Sequence, residues 1–340
     1  MIDPKTRVAL VGATGLVGRE MLDGLADLCV APGQLSLFAS PRSEGEVADY
    51  RGEELEVEKV SARSFAGVGL VLLAVPADAA RELAPVAQAA GAWVVDVSPA
   101  FRRAGGVPLV LPAVNAARLD APFTGRIVAC PGAATAALVT ALEPWRARFG
   151  LDEVSLTALW GASGRGKRGV AELEQQTASL LSGREPEPGH FPHRLAFNLV
   201  PQVGELEGEW TEEENSWRAE AGRLWGATAA PELSGTAVQV PTFFGCCLAV
   251  SAKLSRPATQ EALQEALRTA PGVKLLDSPA EKIYPMPMLC TADPNVHVGR
   301  VRLSPGKADR ASMFIAVDNS GRGASLNALD IAGRLARPGG

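Results

Sequence analysis

Arg7-Val8-Ala9-Leu10-Val11 followed at once by Gly12-Ala13-Thr14-Gly15-Leu16-Val17-Gly18 is the stretch that decides the fold. A short apolar strand enters a glycine turn. The residues after it, Leu16, Val17, Glu20, Met21 and Leu25, recur at near-helical spacing. Strand, glycine turn and helix in that order are the context that lifts a GxxGxxG pattern above chance. Glycine permits the tight turn, the close approach of a pyrophosphate and the packing of helix on strand, while the helix N-terminus offers free N–H groups to an anion. The competing reading is an ordinary strand-to-helix turn that uses glycine only for its geometry.

Moving outward, Gln34 to Ser40 reads as a second strand, followed by Pro41-Arg42-Ser43. A site for NAD usually has an acid here for the ribose 2′-hydroxyl. Ser40, Arg42 and Ser43 instead suit a 2′-phosphate, so NADP is expected over NAD. Val68 to Val75 is apolar on both faces, as a central parallel strand is. A helix from about Asp78 to Ala90 and a strand Trp93 to Val97 follow. This alternation predicts a doubly wound α/β sheet of Rossmann type, with its ligand at the carboxyl ends of the strands. Arg102 lies just past such an end and would bind a substrate anion or simply cap the sheet.

The whole chain has 340 residues, 47% of them apolar and 21% charged, with a formal net charge of −5. That length favours two domains. The charge gives no footprint for nucleic acid or an anionic membrane surface, and no apolar run reaches the roughly 20 residues of a membrane span. Met1-Ile2-Asp3-Pro4-Lys5 leads straight into the first strand, which predicts no secretory leader. Cys29, Cys130, Cys246, Cys247 and Cys290 form no CxxC pair, and only His190, His193 and His297 accompany them. No metal site is expected, and the cysteine pattern suits a reducing cytoplasm.

After residue 138 the alternation weakens. Ser155 to Trp160 reads as a strand, Gly161 to Arg168 as a basic glycine loop, and Val170, Leu173, Thr177, Leu180 and Leu181 as one face of an amphipathic helix. The loop is no Walker motif, because neither Ser nor Thr follows Lys167. A charged helix runs from Thr211 to Trp225, with Thr211 as its cap and Glu214 at the box position. Thr236 to Phe244, Leu248 to Leu254, Val298 to Leu303 and Ala311 to Val317 are expected as strands of a second, mostly antiparallel sheet. Leu326 to Leu335 is a helix expected to return to the first domain.

In Ile127-Val128-Ala129-Cys130-Pro131-Gly132-Ala133, a strand, a Pro-Gly break and a small-residue helix meet at a place suited to a nucleophile. With the glycine turn, Ala39 to Ser43, Phe101-Arg102, Ser163 to Gly166, Glu172 to Thr177, Val240-Pro241, Val298-Gly299-Arg300 and Asp318-Asn319 through Ala328, these residues resemble aspartate-β-semialdehyde dehydrogenase over nearly the whole length. That family reduces an acyl phosphate to an aldehyde with NADPH through a cysteine thioester. The resemblance implies a cofactor domain of residues 1–132 plus 320–340. It also implies an α+β substrate and dimerisation domain of residues 133–319, and a homodimer. Gly12, Thr14, Gly15, Leu16, Val17, Ser40, Arg42, Ser43, Ser163, Gly164 and Asn319 keep its cofactor pattern. Arg102, Glu220 and Arg223 keep positions that meet an anionic substrate, with Arg223 in place of a lysine.

The catalytic set departs from the family. Ala133 falls where the resemblance places the nucleophilic cysteine, Trp160 on the orienting glutamine, Gln239 on an arginine, and Cys246 on the histidine that moves protons. Thioester chemistry needs a thiolate and an acid–base partner, and a methyl group is neither nucleophile nor leaving group. The chain is similar to Usg-type homologues of the dehydrogenase, which implies an NADP-binding pseudoenzyme. One alternative is an active NADP-dependent semialdehyde or acyl-phosphate oxidoreductase of amino-acid biosynthesis that uses Cys130 as a relocated thiol. Another is a dimeric interaction scaffold. A reductase of N-acetylglutamyl phosphate is disfavoured, since it needs the same missing groups.

Overall fold

A computed structural model of the chain describes residues 1–121 and 123–337, so positions 338–340 of the expected cofactor domain lie outside the described residues. The chain divides into two units, Met1–Gly132 with Ala324–Gly340, and Ala133–Gly323. The second crossing therefore falls four residues beyond the boundary expected from the sequence. The elements of the first unit are β1 (Val8–Val11), α1 (Leu16–Asp27), β2 (Leu35–Ala39), β3 (Val47–Tyr50), β4 (Glu53–Lys59), β5 (Leu70–Leu73), α2 (Ala77–Ala89), β6 (Trp93–Asp96), α3 (Pro112–Asn115) and β7 (Ile127–Ala129).

These strands form a seven-stranded sheet in the order β3-β4-β2-β1-β5-β6-β7. Every pairing is parallel except β3 with β4. The central strands are fully buried, and alternate residues serve opposite faces. Val8 and Leu10 join the cluster that holds Met21, Leu25 and Ile331, whereas Ala9 and Val11 join the one that holds Ala80, Ala84 and Ala87. Sheet residues covered on both sides must be apolar throughout, which is why β1 and β5 read as continuous hydrophobic runs. Each such Val or Leu contributes roughly 1.5–3 kcal/mol by leaving water. The β3–β4 hairpin escaped the sequence reading. Its inner strand β4, Glu-Glu-Leu-Glu-Val-Glu-Lys, buries Val57 and leaves its glutamates exposed, while β3 forms the sheet edge.

The second unit contains α4 (Ala133–Phe149), β8 (Leu151–Trp160), α5 (Gly166–Leu181), β9 (Leu206–Glu207), β10 (Trp210–Thr211), α6 (Glu212–Trp225), β11 (Glu232–Gln239), β12 (Cys246–Leu254), α7 (Gln260–Arg268), β13 (Val273–Leu275), α8 (Pro287–Cys290), β14 (Val296–Leu303) and β15 (Arg310–Val317). The closing helix α9 (Leu326–Leu335) belongs to the first unit. A mixed six-stranded sheet runs β11-β8-β12-β15-β14-β13, with its three central pairings antiparallel. One face is covered by α4, α6 and α7. Helix α4 is buried on all sides from Ala133 to Leu142, which explains its run of small and apolar residues.

Two local expectations need correction. The strand expected at Thr236–Phe244 is Glu232–Gln239. Pro241 has no N–H for a ladder, and the chain beyond Gln239 turns to accept from the 161–163 turn, through Gly161 N–H to Gly245 O (3.0 Å), Ala162 N–H to Thr242 O and Ser163 N–H to Phe243 O. The expected strand at Ser155 begins earlier, at Leu151. By contrast α6 starts as its sequence indicates. The Thr211 side chain accepts from Glu214 N–H while the Glu214 carboxylate accepts from Thr211 N–H.

Candidate functional site

The first unit is built to receive a dinucleotide at its topological switch point. Strand β1 has β2 on one side and β5 on the other, so the chain leaves β1 in one direction and later returns to its opposite flank. Gly12, directly after β1, has φ +90, and a Cβ there would lie 2.2 Å from Ala74 O at the end of β5. A Cβ on Gly18 would lie 2.1 Å from Gly12 O. No side chain fits at either position, so the glycines let helix α1 and the two strand ends close on one another. Gly15 caps α1, and the first turn of that helix, which Leu16 and Val17 begin, carries no acidic residue. Its free N–H groups therefore face an anion without repulsion.

Thr14 donates its hydroxyl to Ser43 Oγ at 3.2 Å, which ties the glycine turn to the Ser40–Ser43 segment. Ser40 and Arg42 are exposed beside it. The arrangement fits a nicotinamide dinucleotide, a carrier that exchanges hydride with a bound carbonyl. Gly12, Gly15, Leu16 and Val17 would meet its pyrophosphate, and Ser40, Arg42 and Ser43 the adenosine ribose.

At the far end of the same sheet, Arg102 donates from Nη2 to Val97 O at 2.6 Å and from Nε to Cys130 O at 3.2 Å. The guanidinium is thus pinned across the carboxyl ends of β6 and β7. Beneath it, buried Asp96 accepts from Ser98 N–H (3.0 Å) and Ser98 Oγ (2.8 Å). Burial lifts the Asp96 pKa to about 6, against the downward pull of the Ser98 hydrogen bonds and the Arg102 charge. Cys130 is fully buried in the core that α1 packs against. Burial first, and the Asp96 carboxylate second, push its thiol far above the usual range, with Arg102 opposing. A thiol so placed carries no thiolate at neutral pH.

In the second unit three residues that the resemblance sets on functional positions form a row. Trp160 on β8 is directly opposite Gln239 on β11 and Cys246 on β12. All three are buried, at 8%, 2% and 0% exposure, on the helix-covered side of the sheet. Gln239 spends its amide on the strand end, donating to Trp160 O (2.7 Å) and Gly161 O (2.8 Å). Its backbone pairs with Val200 in both directions. The Trp160 ring lies against Gly164, where a Cβ would approach Trp160 Cε3 to 2.8 Å. Its Nε1–H is buried with no hydrogen-bond partner among the described residues. Burial also raises the Cys246 thiol far above its ordinary value. The row is therefore a packed plug of indole, wired amide and un-ionised thiol. It holds neither a proton-transfer group near neutral pH nor a free cation.

Ser163 donates to Asn319 Oδ1 at 2.7 Å, and Gly245 N–H donates to the same oxygen at 3.0 Å. These cofactor candidates thereby fix the turn above the plug. Ala133, which begins α4, is 8% exposed, and a Cβ on Gly323 would lie 2.7 Å from its methyl group. Glu220, fully buried, and Arg223, half-buried, are three residues apart on α6. No role was legible in the sequence for Asp96, Ser98 or Asp318. The last accepts from Ser320 N–H, Gly321 N–H and Ala292 N–H and so orders the chain beside Asn319. The only available signal was an Asp two residues ahead of a Ser, in Asp96-Val97-Ser98 and Asp318-Asn319-Ser320, which is a turn pattern found in many proteins. No described helix is long and apolar enough to cross a membrane.

Two family models match the chain. Residues 7–121 match the semialdehyde dehydrogenase NAD binding domain, and residues 142–320 the semialdehyde dehydrogenase dimerisation domain. The aspartate-semialdehyde dehydrogenase of Aquifex aeolicus is 34% identical over 336 residues, covering 98% of each chain. A USG-1 protein homolog of Azotobacter vinelandii is 35% identical over 351 residues, covering 99% of this chain and 100% of its own. Among solved structures, aspartate semialdehyde dehydrogenase II from Vibrio cholerae, complexed with ASA, superimposes with a TM-score of 0.93 at 30% identity, over 99% of this chain and 100% of that one.

Proposed function

We propose a function from one premise: this chain belongs to the aspartate-semialdehyde dehydrogenase family. It is a nicotinamide-cofactor-binding member that no longer performs the family's thioester chemistry. The observation that carries this reading is the row Gln239–Trp160–Cys246, three buried side chains on adjacent strands at positions that the resemblance makes functional. A single replacement would leave an impaired enzyme with its partners still poised. Here the amide is used up by two backbone carbonyls, the indole fills the space, and the thiol stays protonated. Ala133 supplies no nucleophile.

The cofactor is NADP, supported by Ser40, Arg42 and Ser43 beside the glycine turn and by Ser40, rather than an acid, directly after β2. The chain acts as a homodimer through its second unit, in keeping with the dimerisation-domain match. Within the second unit, Glu220 and Arg223 on α6 provide polar groups for a small ligand that is held but not converted. The relocated-thiol alternative is weakened by the burial of Cys130 and by the upward shift of its thiol.

Mass spectrometry of the intact protein after incubation with aspartate semialdehyde, phosphate and NADP tests this reading. The expected result is an unmodified mass and no NADPH formed. A thioester adduct, or steady NADPH production, would overturn it.

A further inference from the structure

Trp160 ends β8, and its Nε1–H is closed off from solvent without a hydrogen-bond partner among the described residues. The other three buried tryptophans all spend theirs. Trp145 donates to Leu263 O (3.1 Å), Trp217 to Glu213 Oε1 (2.8 Å) and Trp225 to Glu143 Oε2 (2.7 Å). A buried indole usually finds an acceptor, because an orphaned donor costs the folded state the full desolvation of that group.

The ring's orientation follows from its contacts. A Cβ on Gly164 would lie 2.8 Å from Trp160 Cε3 and 3.3 Å from Cζ3, so that edge abuts the 161–164 turn. The edge bearing Nε1 therefore faces away from the turn. Gln239 on β11, Cys246 on β12 and Val317 on β15 continue the row of Trp160, and none of them is a cation. The Gln239 amide N–H groups are already given to Trp160 O and Gly161 O.

Helix α6 packs on β11 and brings negative charge to the same row. Burial first, then Cys247, then the Glu213 carboxylate raise the Cys246 thiol, which sets Glu213 within electrostatic reach of Cys246. Glu220 follows Glu213 by two helical turns and so lies on the same side of α6, with Trp217 buried between them. Arg223 comes one turn later.

We infer that Trp160 is a gate: its indole turns so that Nε1–H donates to the carboxamide oxygen of a small ligand whose charged end is held by Glu220 and Arg223. This role presupposes that α6 holds a small ligand, as proposed above. Nε1 is enclosed here, so the ring must turn before an acceptor can reach it. The cost of the orphaned donor in the ligand-free chain then returns as affinity once an acceptor arrives. The end that meets Trp160 is neutral, because a carboxylate beside a row without a cation and near Glu213 would be a buried, unpaired anion. A carboxamide brings the acceptor without the charge.

The test is an NMR titration of the full chain carrying 15N-labelled tryptophan, with the Trp160 indole signal assigned by its loss in W160F. L-asparagine and L-aspartate are the probes, since they differ only in carboxamide against carboxylate at one end. Asparagine should move the Trp160 N–H proton downfield in a saturable way, as a new hydrogen bond does, and aspartate at the same concentration should not. In calorimetry W160F should bind asparagine about tenfold or more weakly. The indole signals of the other five tryptophans should stay in place in W160F, which shows that the fold is kept. A Trp160 signal unmoved by asparagine, an equal shift with aspartate, or an affinity in W160F within twofold of wild type would overturn the gate. The underlying reading fails separately, by a thioester adduct or NADPH production, whatever Trp160 does.

Discussion

At Cys130 the thiol sits in a dry core beside a carboxylate, and both circumstances keep its proton on. Iodoacetamide should therefore label the exposed Cys29 readily in the native protein and leave Cys130, Cys246, Cys247 and Cys290 at least a hundredfold slower, read by peptide mass spectrometry. Rapid native labelling of Cys130 would revive the relocated-thiol alternative. Asp96 gives a second residue-scale prediction. Its folded pKa of about 6 is above the unfolded value near 3.9, so the folded state binds the proton more tightly. The Asp96 contribution to stability is then fully present below about pH 4 and is lost as pH rises through 6, by at most about 3 kcal/mol. D96N should flatten that slope in urea melts taken between pH 4 and 6.5, and an unchanged slope would contradict the assignment. Ala133, Trp160, Gln239 and Cys246 were legible in the sequence as residues set by the resemblance on functional positions. That Gln239 is tied to Trp160 O and Gly161 O was not legible, since hydrogen bonds between distant strands leave no trace in spacing.

At the scale of elements, the glycine turn, the β1–α1 junction and the cap of α6 were all readable, because each is local chemistry: a φ that needs glycine, or a Thr and a Glu three apart. The β3–β4 hairpin and the end of β11 were not, because their limits are set by what lies beside them. The loop from 189 to 196 is a further case. Glu172 on α5 accepts from Gly189, His190 and Phe191 N–H, and Gln176 one turn later accepts from Leu195 and Ala196 N–H. One helix face thus orders a loop with no regular structure of its own. E172A should leave three N–H groups without their acceptor, costing roughly 1–3 kcal/mol. It should also speed hydrogen exchange at 189–196 while α5 stays protected. Exchange unchanged in that loop would show that packing alone holds it.

For the whole molecule, the two-unit plan followed from length and from the change in alternation after residue 138, and the family from ordered blocks along the chain. That Gln239, Trp160 and Cys246 lie side by side emerged only from the sheet register. Coupling has a consequence for reversion. A133C alone should give no turnover, since its thiol would have no acid–base partner. Only A133C combined with W160Q, Q239R and C246H is expected to yield measurable NADPH formation from aspartate semialdehyde and phosphate. Effects of residues that act as a unit are strongly non-additive. The measurement that bears most directly on the account is calorimetric titration of the unaltered protein with NADPH and NADH, with the same sample assayed for turnover of aspartate semialdehyde. The account predicts saturable binding, at least tenfold tighter for NADPH, and no turnover. Turnover above the buffer rate, or no binding of either nucleotide by the folded protein, would contradict it.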